Sequence, residues 1–315
     1  MTLTLFAIIS GLALLCAGAE FLIRGAVSLS LKIGISPLVV GLTVVALGTS
    51  SPEIVVGVKA AIDGHGSLAI GSVVGSNIAN IGLILAIGIL VRPVSIHVDL
   101  LRRDLPILLG ITLLVPLTLI DGMISRREGF LLLVGAFVYL VFNIFQSRKE
   151  TNEEAETEYE SELSPRRFSP LKTTVLIAVG ILGLVTGGRL LLMGGVDLAT
   201  RLGVSEAVIG LTVVAFGTSL PELATAIAAA RRGHGDIAVG NAVGSNIMNL
   251  LAVLGLAALV TPLFMSDVRL FDLAIMVSMT AVLLPLMRTD FSLKRIEGAL
   301  LLAAYLTYIF YTALG

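Results

Sequence analysis

Charged residues are scarce in this sequence. Asp, Glu, Lys and Arg account for 14% of its 315 residues, whereas about 25% is typical of a soluble globular domain. Hydrophobic residues account for 56%, and the mean hydropathy is +1.01. This balance excludes a soluble globular domain and predicts an all-α integral membrane protein that crosses the bilayer several times.

Other absences narrow the class further. Cys16 is the single cysteine, so no disulfide can form within the chain. The net charge is -1 and there is no block of basic residues, so nothing in the sequence would attract nucleic acid. No Lys or Arg precedes the first apolar run at residues 3–23, and no polar cleavage region follows it. We therefore interpret this run as a retained span rather than a signal peptide.

Apolar runs of about 20 residues, the length of a helix that spans a bilayer, recur along the chain. They predict ten helices, at residues 3–24, 36–60, 68–90, 104–121, 129–146, 173–198, 206–230, 237–260, 271–287 and 296–314. Arg24 and Arg189 interrupt the apolar runs only singly. The first and sixth helices should therefore continue beyond these limits.

The long polar stretch at residues 147–170 lies between the fifth and sixth predicted helices. Its clustered Glu residues cannot form a core, so we predict an acidic, solvated linker. It joins two five-helix halves, residues 1–146 and 171–315. A calcium-sensing role for these glutamates is an alternative, but their order does not follow that of an EF-hand loop.

The distribution of Lys and Arg predicts the orientation in the membrane. With the N-terminus outside, fifteen of these residues fall on the cytoplasmic side and six on the other. Cytoplasmic loops are the ones that carry excess Lys and Arg. Both termini are therefore predicted to lie outside, and the linker inside.

The two halves repeat each other at an offset of 169 residues. LTVVALGTSSPE at 42–53 returns as LTVVAFGTSLPE at 211–222, and GSVVGSNIAN at 71–80 returns as GNAVGSNIMN at 240–249. Each half has an odd number of predicted helices, so the second half should enter the membrane in the opposite orientation. Inverted repeats with interrupted helices are typical of secondary transporters.

Each repeat places one carboxylate, Glu53 or Glu222, inside an apolar run. An ionised carboxylate near the bilayer centre costs about 2.5–3.5 kcal/mol on insertion scales. A structural ion pair would explain this placement, but neither these helices nor the following GSN helices contain a basic residue at membrane depth. We therefore interpret both carboxylates as functional.

Neighbouring residues supply further oxygen atoms. Pro52 and Pro221 are predicted to break their helices and to free backbone carbonyls, which include those of Gly48, Gly217, Ala46 and Ala215. Hydroxyl and amide groups accompany the carboxylates at Thr49, Ser50, Ser76, Asn80, Ser245 and Asn249. Oxygen ligands without His or Cys suit hard cations such as Ca²⁺ and Na⁺. Asn77 and Asn246 either bind the ion or pack the helices, and we favour packing.

GTSSPE and GTSLPE, each followed by a GSN-containing helix, resemble the alpha repeats of the Ca²⁺/cation antiporters, in their prokaryotic Na⁺/Ca²⁺ exchanger-like branch. The resemblance covers both halves. It implies an antiporter of a prokaryotic cell membrane that exports Ca²⁺ in exchange for Na⁺. Helices 2, 3, 7 and 8 would form the binding core, and helices 1 and 6 would slide across it. The ion ligands that it implies are Thr49, Ser50, Glu53, Ser76, Asn80, Thr218, Ser219, Glu222, Ser245 and Asn249, with the carbonyls of Ala46 and Ala215.

One position departs from the family pattern. Na⁺/Ca²⁺ exchangers often carry an acidic residue at one of the two Asn positions, whereas Asn80 and Asn249 are both amides here. Two carboxylates would be balanced by one Ca²⁺, two Na⁺ or two H⁺. An H⁺/Ca²⁺ antiporter on the same fold is therefore the main alternative to Na⁺ coupling.

Two other functional classes fit the sequence less well. A cation channel needs a continuous pore, which half-sites meeting at one point do not provide. An intramembrane enzyme could use Glu53 and Glu222 as acid and base, but the sequence has no nucleophile or catalytic metal motif to support it. We expect no enzyme activity and no cofactor beyond the transported Ca²⁺ and Na⁺ or H⁺. The expected partners are metal cations and membrane lipid, without an obligate protein partner.

Overall fold

A computed structural model of the protein describes residues 2–150, 168–201, 215–265, 269–288 and 290–314. The helices of the first half are α1 (Thr2–Ile33), α2 (Pro37–Val40), α3 (Ala46–Thr49), α4 (Ser51–Ile62), α5 (Gly66–Ala79), α6 (Ala86–Val91), α7 (Leu105–Thr118) and α8 (Arg126–Glu150). Those of the second half are α9 (Pro170–Arg201), α10 (Ala215–Thr218), α11 (Leu220–Arg231), α12 (Gly235–Met248), α13 (Leu254–Val260), α14 (Leu270–Arg288) and α15 (Arg295–Leu314).

Short π-helical segments join several of these helices without breaking the run. They are Gly41–Val45, Asn80–Leu85, Leu100–Asp104 and Asn249–Val253. The described chain also contains four strands of two residues each, which are β1 (Val94–Ser95), β2 (Met123–Ile124), β3 (Leu263–Phe264) and β4 (Ser292–Leu293).

The predicted helical segments are confirmed within the described residues. As expected, the first and sixth run past their predicted limits, and α1 and α9 contain 32 residues each. The predicted start of the seventh helix at residue 206 and most of the predicted linker lie outside the described residues. The predicted boundary at 146 falls short, because α8 continues to Glu150. Residues 148–150 are Arg, Lys and Glu, which favour helix.

Six of the described helical runs are long and apolar enough to cross a membrane, or seven if a bent pair is counted as one span. This bent pair consists of Pro37–Thr49 and Ser51–Ile62, at 47° to each other. The total of ten spans stays a prediction. The described fold is a helical membrane bundle whose core lies in the helices that carry the two repeated motifs.

The four strands were not predicted, and their pairing shows how the halves are related. Val94 pairs with Leu293 in the β1–β4 sheet, and Ile124 pairs with Leu263 in the β2–β3 sheet. An offset of 169 residues converts each pair into the other. Contacts that exchange in this way are the mark of a two-fold axis. The two halves are therefore related by an approximate two-fold axis inside one chain.

The same two-fold relation governs the crossing of α1 and α9. Glycines recur every seven residues on each helix, at Gly11, Gly18 and Gly25 and at Gly180, Gly187 and Gly194. A Cβ atom on Gly18 would lie 2.7 Å from the Leu184 nitrogen, so the two backbones touch. Hydrogen bonds tie the helices near both crossing ends, between Ser28 and Thr173 at 2.8 Å and between Thr4 and Asp197. α1 and α9 thus form one packed unit.

This contact predicts a specific sensitivity. Gly18→Ala should lower the free energy of unfolding by about 1–3 kcal/mol, the usual cost of overpacking, because backbone atoms cannot move aside as a side chain can. Thermal unfolding of the purified protein in detergent measures the effect. The control is Gly110→Ala, where an added Cβ meets no heavy atom of the described structure within 4 Å. Equal melting temperatures for the two variants would contradict the close approach.

Candidate cation-binding site

Both repeated motifs break their helix at a serine. Ser50 separates α3 from α4 with φ -79° and ψ 6°, and Ser219 separates α10 from α11 with φ -88° and ψ 7°. Pro52 and Pro221 stand at the second residue of the helix that follows each break. Proline suits the first turn of a helix, where its missing N–H is not needed. The predicted break is therefore confirmed, and each proline lies where a new helix begins.

One predicted consequence of the break is wrong in the first half. The carbonyl of Gly48 is not left bare, because the Ser51 hydroxyl donates to it at 2.8 Å. The equivalent residue in the second half is Leu220, which has no hydroxyl. The Ala46 carbonyl, also predicted to be disturbed, accepts the Ser50 N–H at 2.9 Å. Neither carbonyl is therefore bare, but a carbonyl oxygen that accepts one hydrogen bond keeps a second lone pair.

The two carboxylates meet in the interior of the bundle. Glu53 is 2% exposed and Glu222 is 1% exposed, and they are close enough for their charges to repel. The Ser50 hydroxyl donates to Glu222 Oε1 at 3.2 Å, and the side chain of Thr218 hydrogen-bonds to Glu53. Each carboxylate is therefore held by a hydroxyl group from the opposite half.

No Lys, Arg or His of the described residues forms an ion pair with either carboxylate. An ionised carboxylate in this position needs a compensating charge, since burying an unpaired charge is costly. A bound cation or a proton can supply it. The arrangement is thus suited to positively charged ions.

The asparagine residues form a second set of contacts across the halves. Asn80 Nδ2 donates to Asn246 Oδ1 at 2.9 Å, and Asn249 Nδ2 donates to Asn77 Oδ1 at 3.4 Å. Asn80 and Asn249 are equivalent positions of the two repeats, and so are Asn77 and Asn246, so the two hydrogen bonds are equivalent by the 169-residue offset. Asn246 also donates to the Asn77 carbonyl at 3.2 Å. The predicted packing role of Asn77 and Asn246 is confirmed, and these residues orient the amides of Asn80 and Asn249.

With their amide nitrogens bonded in this way, Asn80 and Asn249 keep their amide oxygens free of hydrogen bonds from the described residues. Asn80 and Asn249 each begin a π-helical segment, a local widening that is frequent at functional sites. Five buried oxygen atoms in the predicted ligand set have no hydrogen-bond donor among the described residues, namely Glu53 Oε2, Glu222 Oε2, Asn80 Oδ1, Asn249 Oδ1 and Ser219 Oγ. Unsatisfied buried acceptors are rare in folded proteins. Together they fit the coordination of a hard cation.

The remaining predicted ligands lie on the same helices. Thr49 and Ser245 are fully buried, with their hydroxyl oxygens 3.5 Å apart. Ser76 is buried on α5. For Ala215, the structure describes the backbone at the first residue of α10.

The sequence reasoning missed Asn241. Its Oδ1 accepts the Thr49 hydroxyl at 3.1 Å, and its side chain is fully buried. Its counterpart in the first half is Ser72, which is only partly buried. The sequence did contain a signal for this residue, because Asn241 replaces Ser72 inside a motif that otherwise repeats closely. It makes the surroundings of Thr49 different from those of Thr218.

Comparison with known proteins identifies the family. The sequence profile described as "Sodium/calcium exchanger protein" matches residues 3–145 and 172–314. The chain belongs to this family. Its members are exchangers, which are transporters rather than enzymes. The two matched ranges correspond to the two repeated halves and leave out the stretch between them.

Individual relatives match along nearly the whole chain. The "Putative antiporter CaxA" of Alkalimonas amylolytica is 37% identical over 97% of both chains. The "Sodium/calcium exchanger MaX1" of Methanosarcina acetivorans is 31% identical over 98% of both. The solved structure of the sodium-calcium exchanger NCX_Mj superposes with a TM-score of 0.85 at 30% identity, covering 99% of both chains.

The asparagine contacts in this exchanger predict the effect of removing one of them. Asn246→Ala should lower the free energy of unfolding by about 1–3 kcal/mol, because it leaves the buried Nδ2 of Asn80 without an acceptor. Thermal unfolding in detergent measures this loss. The control Thr43→Val removes a hydroxyl that, within the described part of the chain, bonds to Val39 four residues earlier, and it should have a smaller effect. A larger effect for the control would contradict the role of the amide contacts.

Proposed function

We propose that this protein is a Ca²⁺ antiporter that exports Ca²⁺ in exchange for Na⁺ by alternating access. One observation carries the proposal. Glu53 and Glu222 are buried together, without a basic partner among the described residues, and beside further oxygen atoms that lack donors. The proposed ligands are the ten side chains predicted from the sequence, together with the carbonyls of Ala46 and Ala215. The family membership supports cation exchange as the activity.

The charge of the site gives a reason for strict exchange. Two bare carboxylates would be heavily penalised in a low-dielectric cavity. One Ca²⁺ neutralises both, and so do two monovalent cations. If the site can switch its access from one side of the membrane to the other only when its charge is neutral, it must bind other cations after it releases Ca²⁺ and before it switches back. Competition for the same carboxylates therefore couples the two ion fluxes.

The internal symmetry supports alternating access. We propose that the two-fold axis lies in the membrane plane, so that the two halves are inverted five-helix repeats. Broken helices that meet near the midplane at such an axis are a known architecture of secondary transporters. The exchanged strand pairs and asparagine contacts are consistent with this arrangement.

The proposed location is a prokaryotic cell membrane, with both termini outside. The Lys and Arg distribution supports this orientation. A relative that is 40% identical over 83% of this chain carries the name "Inner membrane protein YrbG" in Escherichia coli. Membrane lipid and the transported cations are the proposed partners.

H⁺ coupling remains the second candidate. It is supported by the burial of both carboxylates without a basic partner among the described residues, because a proton neutralises a carboxylate as a metal cation does. Ca²⁺ uptake into proteoliposomes, with outwardly directed gradients of Na⁺, K⁺, Li⁺ or H⁺ tested in turn, separates the candidates. Flux without any counter-ion would indicate a channel instead.

The first prediction for transport concerns the carboxylates. In proteoliposomes loaded with Na⁺, the wild type should take up ⁴⁵Ca²⁺ as Na⁺ leaves down its outward gradient. Glu53→Gln and Glu222→Gln should each abolish this uptake. Glutamine keeps the shape of glutamate but removes half of the negative charge of the site. The control is Asp99→Asn, which changes an exposed carboxylate away from the site and should transport normally. Normal exchange by either glutamine variant would refute the proposed site.

The second prediction concerns coupling. With only two carboxylates, a third Na⁺ would leave a net positive charge in the cavity, so the wild type should exchange two monovalent ions for one Ca²⁺ and respond little to voltage. Asn249→Asp adds a third carboxylate and should make the flux voltage-dependent. Ca²⁺ flux in proteoliposomes, with K⁺ and valinomycin setting the potential, measures this. Strong voltage dependence in the wild type would contradict the charge balance.

A further inference from the structure

The packing of α1 and α9 against the binding core is not symmetric. α1 packs along α11 and contributes to one buried apolar cluster with it, whereas the described part of α9 makes no comparable packing with α4. Thr225 on α11 is 0% exposed, but Val56, its counterpart on α4, is 37% exposed. The unit of α1 and α9 therefore covers the second-half core helix and leaves the equivalent first-half face open.

An ion pair connects α1 to the C-terminal end of α11, the core helix that α1 covers. Arg232, which follows α11, donates from Nε to Glu20 Oε2 of α1 at 2.6 Å, and its Nη2 also pairs with the same carboxylate. Arg24, one turn further along α1, pairs with Glu20 at 2.6 Å. We call the Glu20–Arg232 contact the resident latch. It joins the unit of α1 and α9 to the core helix α11 on the side that is predicted to be cytoplasmic.

The 169-residue offset places a second pair at the equivalent positions, with the charges exchanged. Glu20 corresponds to Arg189 on α9, and Arg232 corresponds to Asp63 at the end of α4. Arg189 is exposed and forms no ion pair with any described residue. Asp63 pairs with Lys59 of its own helix at 2.7 Å. In this conformation the second pair is open.

We infer that Asp63 and Arg189 form a reciprocal latch that closes in the opposite conformation of the transporter, when the resident latch opens. This inference rests on the proposed alternating access. In a two-fold related transporter, the second state resembles the first with the roles of the halves exchanged. The pair of α1 and α9 would then cover α4 and Val56, and it would bring Arg189 to Asp63 as Glu20 is now brought to Arg232.

Neighbouring charges lower the energetic cost of opening one latch and closing the other. Each latch carboxylate has a basic residue four positions away on its own helix, Arg24 for Glu20 and Lys59 for Asp63. Neither carboxylate is left unpaired when its latch opens. Ion pairs with this exposure contribute modestly, so each latch should shift the ratio of the two states by about two- to fivefold. Such a bias favours one state without trapping it.

Disulfide cross-linking tests the proximity. In a Cys16→Ala background, the pair Asp63→Cys and Arg189→Cys should cross-link in oxidised membranes, and cross-linking should reversibly block Ca²⁺ exchange. The control pair replaces Arg189→Cys by Leu182→Cys, at an exposed position two turns away on α9, and should not cross-link. Glu20→Cys with Arg232→Cys is the positive control for the conformation seen here.

The outcomes separate this inference from the proposed function. If the background protein exchanges Ca²⁺ but the Asp63 and Arg189 positions never cross-link, the reciprocal latch is wrong and the function stands. If the background protein shows no exchange, the proposed function fails, while the cross-linking yield still decides whether the two positions meet. Cross-linking of the control pair at an equal rate would also overturn the specific latch.

A second arm tests the energetic role. Arg232→Gln opens the resident latch, so it should raise the initial rate of cross-linking between Asp63→Cys and Arg189→Cys by about two- to fivefold. Arg232→Lys keeps the positive charge and should stay near the original rate. Lys294→Gln, which breaks an exposed ion pair with Asp290 far along the chain, serves as the neutral control. An unchanged rate in Arg232→Gln would show that the resident latch does not hold the observed state.

Discussion

The structure depends on the burial of two like charges without a resident counter-charge. Glu53 and Glu222 come together at the centre of the bundle, and no basic side chain of the described chain neutralises them. A protein that only needed stability would place apolar residues there. The helix breaks at Ser50 and Ser219, the asparagine contacts and the π-helical segments that begin at Asn80 and Asn249 lie on the helices that carry the two repeated motifs.

The second organising constraint is the two-fold relation between the halves. It appears in the strand pairs, in the exchanged bonds of Asn80 and Asn249, and in the heptad glycines of α1 and α9. Where the relation fails, the difference is local and chemical. Ser51 satisfies a carbonyl that Leu220 cannot, and Asn241 contacts Thr49 where Ser72 has no equivalent contact described.

Much of the fold was predictable because long apolar runs and a repeated motif are strong signals. The extents of the continuous helical run Gly66–Val91 and of α14 and α15 were predicted within a few residues, and the meeting of Glu53 with Glu222 followed from the repeat. The strands were not predictable, because two residues are too few to show an alternating pattern. The contact of Asn241 with Thr49 depends on how one half packs against the other, which the periodicity of a single segment does not contain. The identity of the bound ions stays a prediction.

The charge exchange between Glu20 and Arg189 has an electrical consequence. The two residues sit on helices that are packed along their length and tied at both ends, so under the proposed alternating access they would move together. Their charges are opposite and cancel in a membrane field. Two residues of like charge would have acted as gating charges, each worth about 2.3 kcal/mol across 100 mV. Under the proposed mechanism, this pair would therefore make no net contribution to the voltage dependence of the helix movement, and the membrane potential would act on the transported ions instead.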